Sequence, residues 1–425
     1  MSLGTKILII SNNVLSPTRN NGKTILSFIE GIDKTCVRQL YFNGEKPSVE
    51  GYSYYQLSDY DVMHGICRKE TRGRVWNSIQ EKQTDAPSVG KTVRGRPSSF
   101  LRLLRDALWH NRWKSAKLLQ WLDDFQPDTV FFVAGDSGFA YNITSFIVKR
   151  YRARLVTYIT DDYIMPRTKE SLADKLQRGR IRKKMLTCIK NSEAYFTISA
   201  LMQKTYQKLT GKPSEIIMNM TPPLYEESIV DPSSVQDKTV MLYAGSLYYG
   251  RDSIIGAVAD AAVRYNNSRK PEQKAVQINI YSNAKPQTES LRLFEREGCC
   301  AFCGSLTFDE LKTAINQADV LLFVESFDEA MQEKTRYSLS TKVPEYMSAR
   351  KPIFAVGPAQ IGSMDYLSDV AFCANTAEDI YDRMIHMLEN SEAQAQKVQA
   401  ALDKYNKNHD VKKQKKLFFD ICAKR

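Results

Sequence analysis

The chain has 425 residues, 43% hydrophobic and 25% charged, with 60 Lys and Arg against 48 Asp and Glu for a net charge of +12. That length exceeds one ordinary core and suits two domains of about 200 residues each, and no apolar run reaches the ~20 residues of a membrane span. The opening "MSLGTKILIISNN" has no basic n-region, long apolar stretch and cleavage site, so the expected location is the cytoplasm.

In chain order, "KILIIS" (6–11) reads as a buried strand, "GKTILSFIEGI" (22–32) as a helix and "VRQLYF" (37–42) as a second strand. Residues 43–97 are polar and irregular and read as a long insertion. A helical stretch covers about 99–125. "PDTVFFVAG" (127–135), "ARLVTYITDD" (153–162) and "EAYFTISA" (193–200) are further strands, and Ser199 is placed to cap the helix after the last. This βαβ alternation predicts a parallel sheet. A Pro-rich and acidic linker, 219–238, interrupts it. Six more strands follow: "TVMLYAGS", "VQINIYS", "CCAFCGS", "DVLLFVES", "KPIFAVG" and "VAFCAN". The reading is α/β, with two doubly wound domains, 1–222 and 238–405, and a cleft between their carboxyl-terminal strand edges. The tail 406–425 is helical and expected to pack back on the first domain.

The eight cysteines are scattered, and the one Cys-x-x-Cys, in "CCAFC" (299–303), has no second pair at zinc-ligand spacing. They read as small buried thiols. The basic excess favours anionic partners. It concentrates in 91–122 and 175–184. A helix with Phe100, Trp109, Trp113 and Trp121 among Arg102, Arg105, Arg112 and Lys114 can lie against anionic lipid, or pack in the core with a solvated basic face.

Gly22-Lys23-Thr24 opens a helix after a strand, as a phosphate-binding P-loop does. The loop needs a Gly five residues earlier, and that position is Pro17, which has no N–H and a fixed φ. A Gly-x-Gly-x-x-Gly dinucleotide fingerprint is absent too. Gly22 is left as a helix-start glycine, or as one that lets backbone approach an anion.

Four segments in order carry a resemblance. "YFTISALMQKTYQKLTGKPSEIIMN" (195–219), "VMLYAGSLYYGRDSII" (240–255), "FCGSLTFDELKTAINQADVLLFVES" (302–326) and "YSLSTKVPEYMSARKPIFAVGP" (337–358) resemble GT-B glycosyltransferases, especially the retaining family 4. The resemblance spans most of the chain, 43–97 excepted. It implies two Rossmann-like domains facing each other across a cleft, the first binding acceptor and the second a nucleotide-sugar. The implied activity is a hexosyltransferase-type transfer to a saccharide or lipid-linked acceptor, with retention and without a metal or other cofactor. Cell-surface polysaccharide or glycolipid synthesis is the implied setting, with peripheral contact to the inner membrane face and no nucleic-acid partner. The alternative is a catalytically weakened GT-B domain acting as a scaffold.

The resemblance also implies the site. Gly245 lets backbone approach the diphosphate, with Ser246 beside it, and Arg251 supplies charge, the alternative being a solvated Arg. Ser340, Thr341 and Lys342 start a second phosphate-facing helix, Ser340 or Thr341 capping it; Lys342 is either a diphosphate contact or solvated. Glu345 accepts from both ribose hydroxyls, or is a surface glutamate. Backbone around Gly304 and Leu306 holds the base edge, and Gly22 meets the diphosphate from the first domain. Asp161 and Asp162 either touch a sugar hydroxyl or act as base, or belong to a helix cap or a plain loop. Two positions depart from the family pattern: Tyr337 stands where a donor-sugar Glu is common, and Ser246 where an Arg is.

Overall fold

The computed structural model describes residues 4–17, 20–64, 72–77, 99–225, 237–283, 292, 294 and 298–423. They form two compact units, residues 1–218 with 412–425, and residues 219–411.

The first unit is built on runs such as "ILIIS" and "TVFFVA", β-branched and aromatic residues buried along their whole length. Such runs suit parallel strands covered by helices on both faces. The strands are β1 (Ile7–Ser11), β2 (Val37–Tyr41), β3 (Ser53–Gln56), β4 (Arg74–Trp76), β5 (Thr129–Ala134), β6 (Arg154–Ile159), β7 (Ala194–Thr197) and β8 (Glu215–Ile216). They form one sheet in the order β4-β3-β2-β1-β5-β6-β7-β8. Every pairing is parallel except β3 with β4. The helices are α1 (Asn20–Ile29), α2 (Asp59–His64), α3 (Ser99–Trp109), α4 (Ala116–Asp123), α5 (Gly138–Tyr151), α6 (Leu172–Asn191) and α7 (Ala200–Thr210). The Ser199 hydroxyl accepts the Met202 N–H at 3.3 Å and caps α7, as expected.

The structure corrects two expectations here and bears on a third that was open. Residues 43–97 are not uniformly irregular: β3, α2 and β4 lie within them, while 65–71 and 78–97 fall outside the described residues. The helical stretch 99–125 is two helices, broken before Ser115, whose hydroxyl accepts the Leu118 N–H and caps α4. Of its open alternatives the tryptophans take the core one: Trp109, Trp113 and Trp121 are all buried, whereas Phe100 is exposed. The Trp109 ring stacks on Phe139 at 3.7 Å, and Arg102 and Arg105 pair with Asp136 and Asp59. No helix among the described residues is long and apolar enough to cross a membrane.

The second unit holds all six expected strands: β9 (Lys238–Ala244), β10 (Ala275–Tyr281), β11 (Cys300–Gly304), β12 (Val320–Val324), β13 (Ile353–Val356) and β14 (Phe372–Ala374). They lie in the order β11-β10-β9-β12-β13-β14, all parallel. This order reverses direction between β9 and β12, the point at which doubly wound sheets form a crevice beyond their carboxyl ends. The helices that matter below are α8 (Arg251–Ser268), α9 (Phe308–Gln317), α10 (Glu329–Thr335) and α11 (Lys342–Ser348). Ile255, Val258, Ala259 and Ala262 on α8 pack over Ile278, Ile280 and Leu322 in the core of this unit. Of the "CCAFC" thiols, Cys299 and Cys300 are buried and Cys303 is exposed.

The tail forms a helix, Ser391–Asn408, and a second, Val411–Cys422, separated at His409. His409 is buried, its Nδ1 2.8 Å from the Asn219 carbonyl and its Nε2 3.0 Å from the Tyr366 hydroxyl. Past it, Phe418 stacks on Phe28 of α1 within the first unit.

Candidate functional site

Beyond the carboxyl ends of β9, β10 and β11 the second unit carries a pocket of about 400 Å3. Its lining includes Gly245, Ser246, Tyr281, Ser282, Leu306, Lys342 and Glu345. One end is cationic, a carboxylate lies on the wall, and Leu306, Leu311 and Ile315 make the rest apolar. That volume and mixture are those of a small-molecule site.

The cationic end is assembled by sequence-distant residues. β9 places Tyr243 in the core, buried, and its hydroxyl donates to the Ser246 carbonyl at 2.6 Å. With its proton so committed, the oxygen turns a lone pair to the Lys342 ammonium, 3.4 Å away. The same ammonium lies 4.6 Å from the Tyr243 ring centroid, a cation–π contact. A Cβ built on Gly245 would meet Lys342 Nζ at 1.8 Å, so the lysine occupies space that only glycine leaves open. Lys342 forms no ion pair among the described residues. Burial, then the Arg251 guanidinium, lower its ammonium from the ordinary lysine value to about 7, with the Glu325 and Glu345 carboxylates opposing the shift.

Arg251, the first residue of α8, is not a free cation. Its Nη2 reaches both carboxylate oxygens of Glu325 at 3.1 and 2.9 Å, and its Nε donates to the Val324 carbonyl at 3.3 Å. The pair is nearly buried, with side-chain exposures of 14% and 5%. It stands behind Lys342 as a mutually neutralised unit.

α11 carries Lys342 and Glu345 about one turn apart, on the same side. Of the two expected capping residues, Thr341 makes no capping side-chain bond, whereas the Ser340 hydroxyl accepts the Lys342 N–H at 3.4 Å. The Val343 N–H goes to the Ser340 carbonyl and residue 344 is Pro, so the first turn of α11 keeps few N–H groups for a ligand. The Ser340 N–H in turn donates to Ser363 Oγ. At the other end, Gly304 closes β11 and accepts the Ser282 N–H at 2.7 Å through its carbonyl, beside the pocket wall.

Gly22, Asp161 and Asp162 belong to the first unit. Gly22 lies inside α1, not at its start. A Cβ there would meet the Val14 carbonyl oxygen at 2.2 Å and the Ser16 nitrogen at 3.0 Å. Asn21, its neighbour, donates to Thr160 Oγ1 at 3.2 Å. Asp161 Oδ2 accepts from Thr160 and Tyr163. Asp162 is buried, and its Oδ1 accepts the N–H groups of Ile164 and Met165 at 3.1 and 3.0 Å. Through these bonds it holds a turn.

The structure thus brings Gly245, Ser246, Leu306, Lys342 and Glu345 onto one pocket, with Arg251, Ser340, Thr341 and Gly304 adjoining. Sequence reasoning missed Tyr243, which orients the lysine, and Glu325, which holds Arg251. Both flank carboxyl-terminal strand ends, where sites of this fold class gather, and that position is the signal that finds them. Tyr337, at the departure from the family pattern, is 9% exposed. Among the described residues no group of three or more His, Cys, Asp or Glu could hold a metal ion.

Two doubly wound units of this topology define the GT-B glycosyltransferase fold, and the chain has that fold. No protein-family model and no curated protein sequence matches it. Solved structures do. An α,α-trehalose 6-phosphate synthase from Burkholderia multivorans superimposes with a TM-score of 0.62 at 10% identity, over 98% of each chain. An E. coli structure described as trehalose-6-phosphate bound with UDP-2-fluoro glucose gives 0.61 at 11% identity, over 99% of each. TarM from S. aureus, a point mutant in complex with fondaparinux, α-GlcNAc-glycerol and UDP, gives 0.51 at 13%, over 75% of this chain and 59% of that one.

Proposed function

We propose that the chain is a glycosyltransferase that takes a sugar from a nucleotide-sugar held in the pocket of the second unit. The observation that carries this reading is Lys342: a half-buried ammonium without an ion pair among the described residues, fixed at one end of a pocket whose wall carries Glu345. A diphosphate supplies the missing countercharge, and the ribose hydroxyls suit the two acceptor oxygens of Glu345. The apolar side, with Leu306, takes the base. UDP is the first nucleotide to try, since two neighbours of the fold are described with UDP or a UDP-sugar bound.

In the reaction the bond between the sugar's anomeric carbon and the diphosphate oxygen breaks, and charge builds on that oxygen. Lys342 stabilises it, backed by the Arg251–Glu325 pair. The acceptor hydroxyl forms the new bond and its proton passes to a carboxylate base, proposed to be Asp161 of the first, acceptor-binding unit. Attack from the face the diphosphate leaves gives retention, and no step requires a metal. The acceptor is a saccharide or a lipid-linked saccharide of cell-surface synthesis.

Arg251 favours a second reading. Because Glu325 holds it in a two-pronged pair, the site has one cation fewer to offer, as in a nucleotide-binding scaffold without turnover. Thermal stabilisation by UDP, lost in Glu345→Ala, together with sugar transfer from a UDP-sugar to a glycoside acceptor, supports the enzyme. UDP binding without transfer across donors and acceptors supports the scaffold. Absence of stabilisation by any nucleoside diphosphate overturns both.

A further inference from the structure

A second cavity, of about 670 Å3, lies in the first unit between α5 and α6. Leu155 at the start of β6 and Asn191 at the end of α6 line it. It therefore sits toward the amino ends of the strands, remote from Thr160 and Asp161 at the carboxyl end of β6. Nothing in the proposed transfer uses it.

Its chemistry is one-sided. Lys149 from α5 and Arg180, Lys183 and Lys184 from α6 line it, and no carboxylate does. Lys149, Arg180 and Lys183 form no ion pair among the described residues. Lys184 donates to Asn142 Oδ1 on the facing helix. The carboxylate that acts on Lys184 through space is Asp106, which is buried and accepts the Phe139 N–H at 3.1 Å. Burial moves the Lys184 ammonium below its usual value, with Arg180 adding to the shift and Asp106 opposing it. On the floor, Thr144 is 1% exposed and its hydroxyl has no hydrogen-bond partner among the described residues. Four like charges along two adjacent helices repel one another, screened by solvent at the exposed Lys149, Arg180 and Lys183 and offset in part by Asp106 at Arg180 and Lys184. An unpaired buried hydroxyl adds a further cost. A bound anion removes both.

We propose that the groove between α5 and α6 binds a phosphorylated ligand carrying at least two negative charges. A single inorganic phosphate would leave most of the volume empty, whereas the size matches small-molecule sites. Phosphate oxygens take the charge-assisted bonds of Arg180, Lys183 and Lys184, with Lys149 across the groove. The Thr144 hydroxyl turns inward to donate. Buried Tyr141 and Leu155 offer an apolar floor to the rest of the molecule. The same phosphate chemistry is presented by a soluble phosphorylated metabolite and by an anionic lipid headgroup.

Hydrogen exchange on the full chain tests this, with pyrophosphate as the soluble probe and phosphatidylcholine vesicles containing phosphatidylglycerol as the lipid one. Slowed exchange over residues 142–149 and 180–191 is expected with at least one probe. It should persist in Lys342→Met, which disables the pocket of the second unit, so failure here and failure of the transferase reading are separable. In Arg180→Ala/Lys183→Ala, two exposed positions at the groove, half-saturation should weaken at least about tenfold. Protection by pyrophosphate assigns a soluble ligand, and protection by vesicles alone assigns a lipid headgroup; both uphold the site. No protection by either probe, or protection undiminished in the double variant, overturns it.

Discussion

Each unit opens with a buried strand followed by a glycine, and the two glycines serve opposite ends. At Gly22 the space a side chain would fill is taken by backbone, the Val14 carbonyl and the Ser16 nitrogen. At Gly245 it is taken by the tip of a flexible side chain, the Lys342 ammonium. The first glycine lets a helix pack, so its contribution is to stability. The second admits a cation to a pocket, and the contribution proposed for it is to binding. Two glycines after a first strand, one inside a helix and one in a turn, are told apart only by what the rest of the chain brings against them.

Variants at the second turn should give the largest effects. Lys342→Met removes the cation while keeping the stem, and a UDP-sugar transfer assay should show kcat/KM falling by about 10²–10³-fold. Glu325→Gln leaves Arg251 buried without its countercharge. Denaturant unfolding should report a loss of about 3 kcal/mol, a size that separates this structural pair from the ligand-facing lysine. Gly22→Ala forces backbone apart in the first unit and should cost about 2 kcal/mol in the same experiment. Glu345→Gln keeps one acceptor oxygen and should weaken UDP about tenfold by calorimetry.

The pH dependence sharpens the contrast further. With its folded-state value depressed to about 7, Lys342 is charged below that pH and neutral above it in the free protein. An anionic ligand needs the charged form, so UDP affinity should be full at pH of about 6. It should fall as pH rises from about 7 to about 9, by at most about tenfold per unit. In Lys342→Met the slope should vanish. Equal slopes in both proteins would remove Lys342 from the site.

Much of the fold was legible because strands such as β1, β5 and β12 are buried on both faces and so read as unbroken apolar runs between turn residues. β3 and β4 were not. Their burial rests on Tyr54, Tyr55 and Trp76 set among polar neighbours, and their pairing comes from the sheet edge they join. The tryptophans of 109–121 were ambiguous for a related reason. A helix with aromatic and basic residues suits a lipid surface or a core, and the partners that decide, Phe139 and Asp59, lie on other elements. At the site, Gly245, Lys342 and Glu345 were named by the family resemblance, and they line one pocket. Glu325 was not, because a glutamate after a strand looks the same whether it faces water or holds an arginine.

The most direct test is a calorimetric titration of UDP into Gly245→Ala and Gly22→Ala beside the unaltered protein. A methyl group at Gly245 must push the Lys342 ammonium from its seat, so that variant should lose at least about tenfold in affinity. Gly22→Ala should bind UDP as the unaltered protein does despite its lower stability. UDP binding unchanged in Gly245→Ala, or lost equally in both, would contradict the assignment of the second turn to the donor's diphosphate.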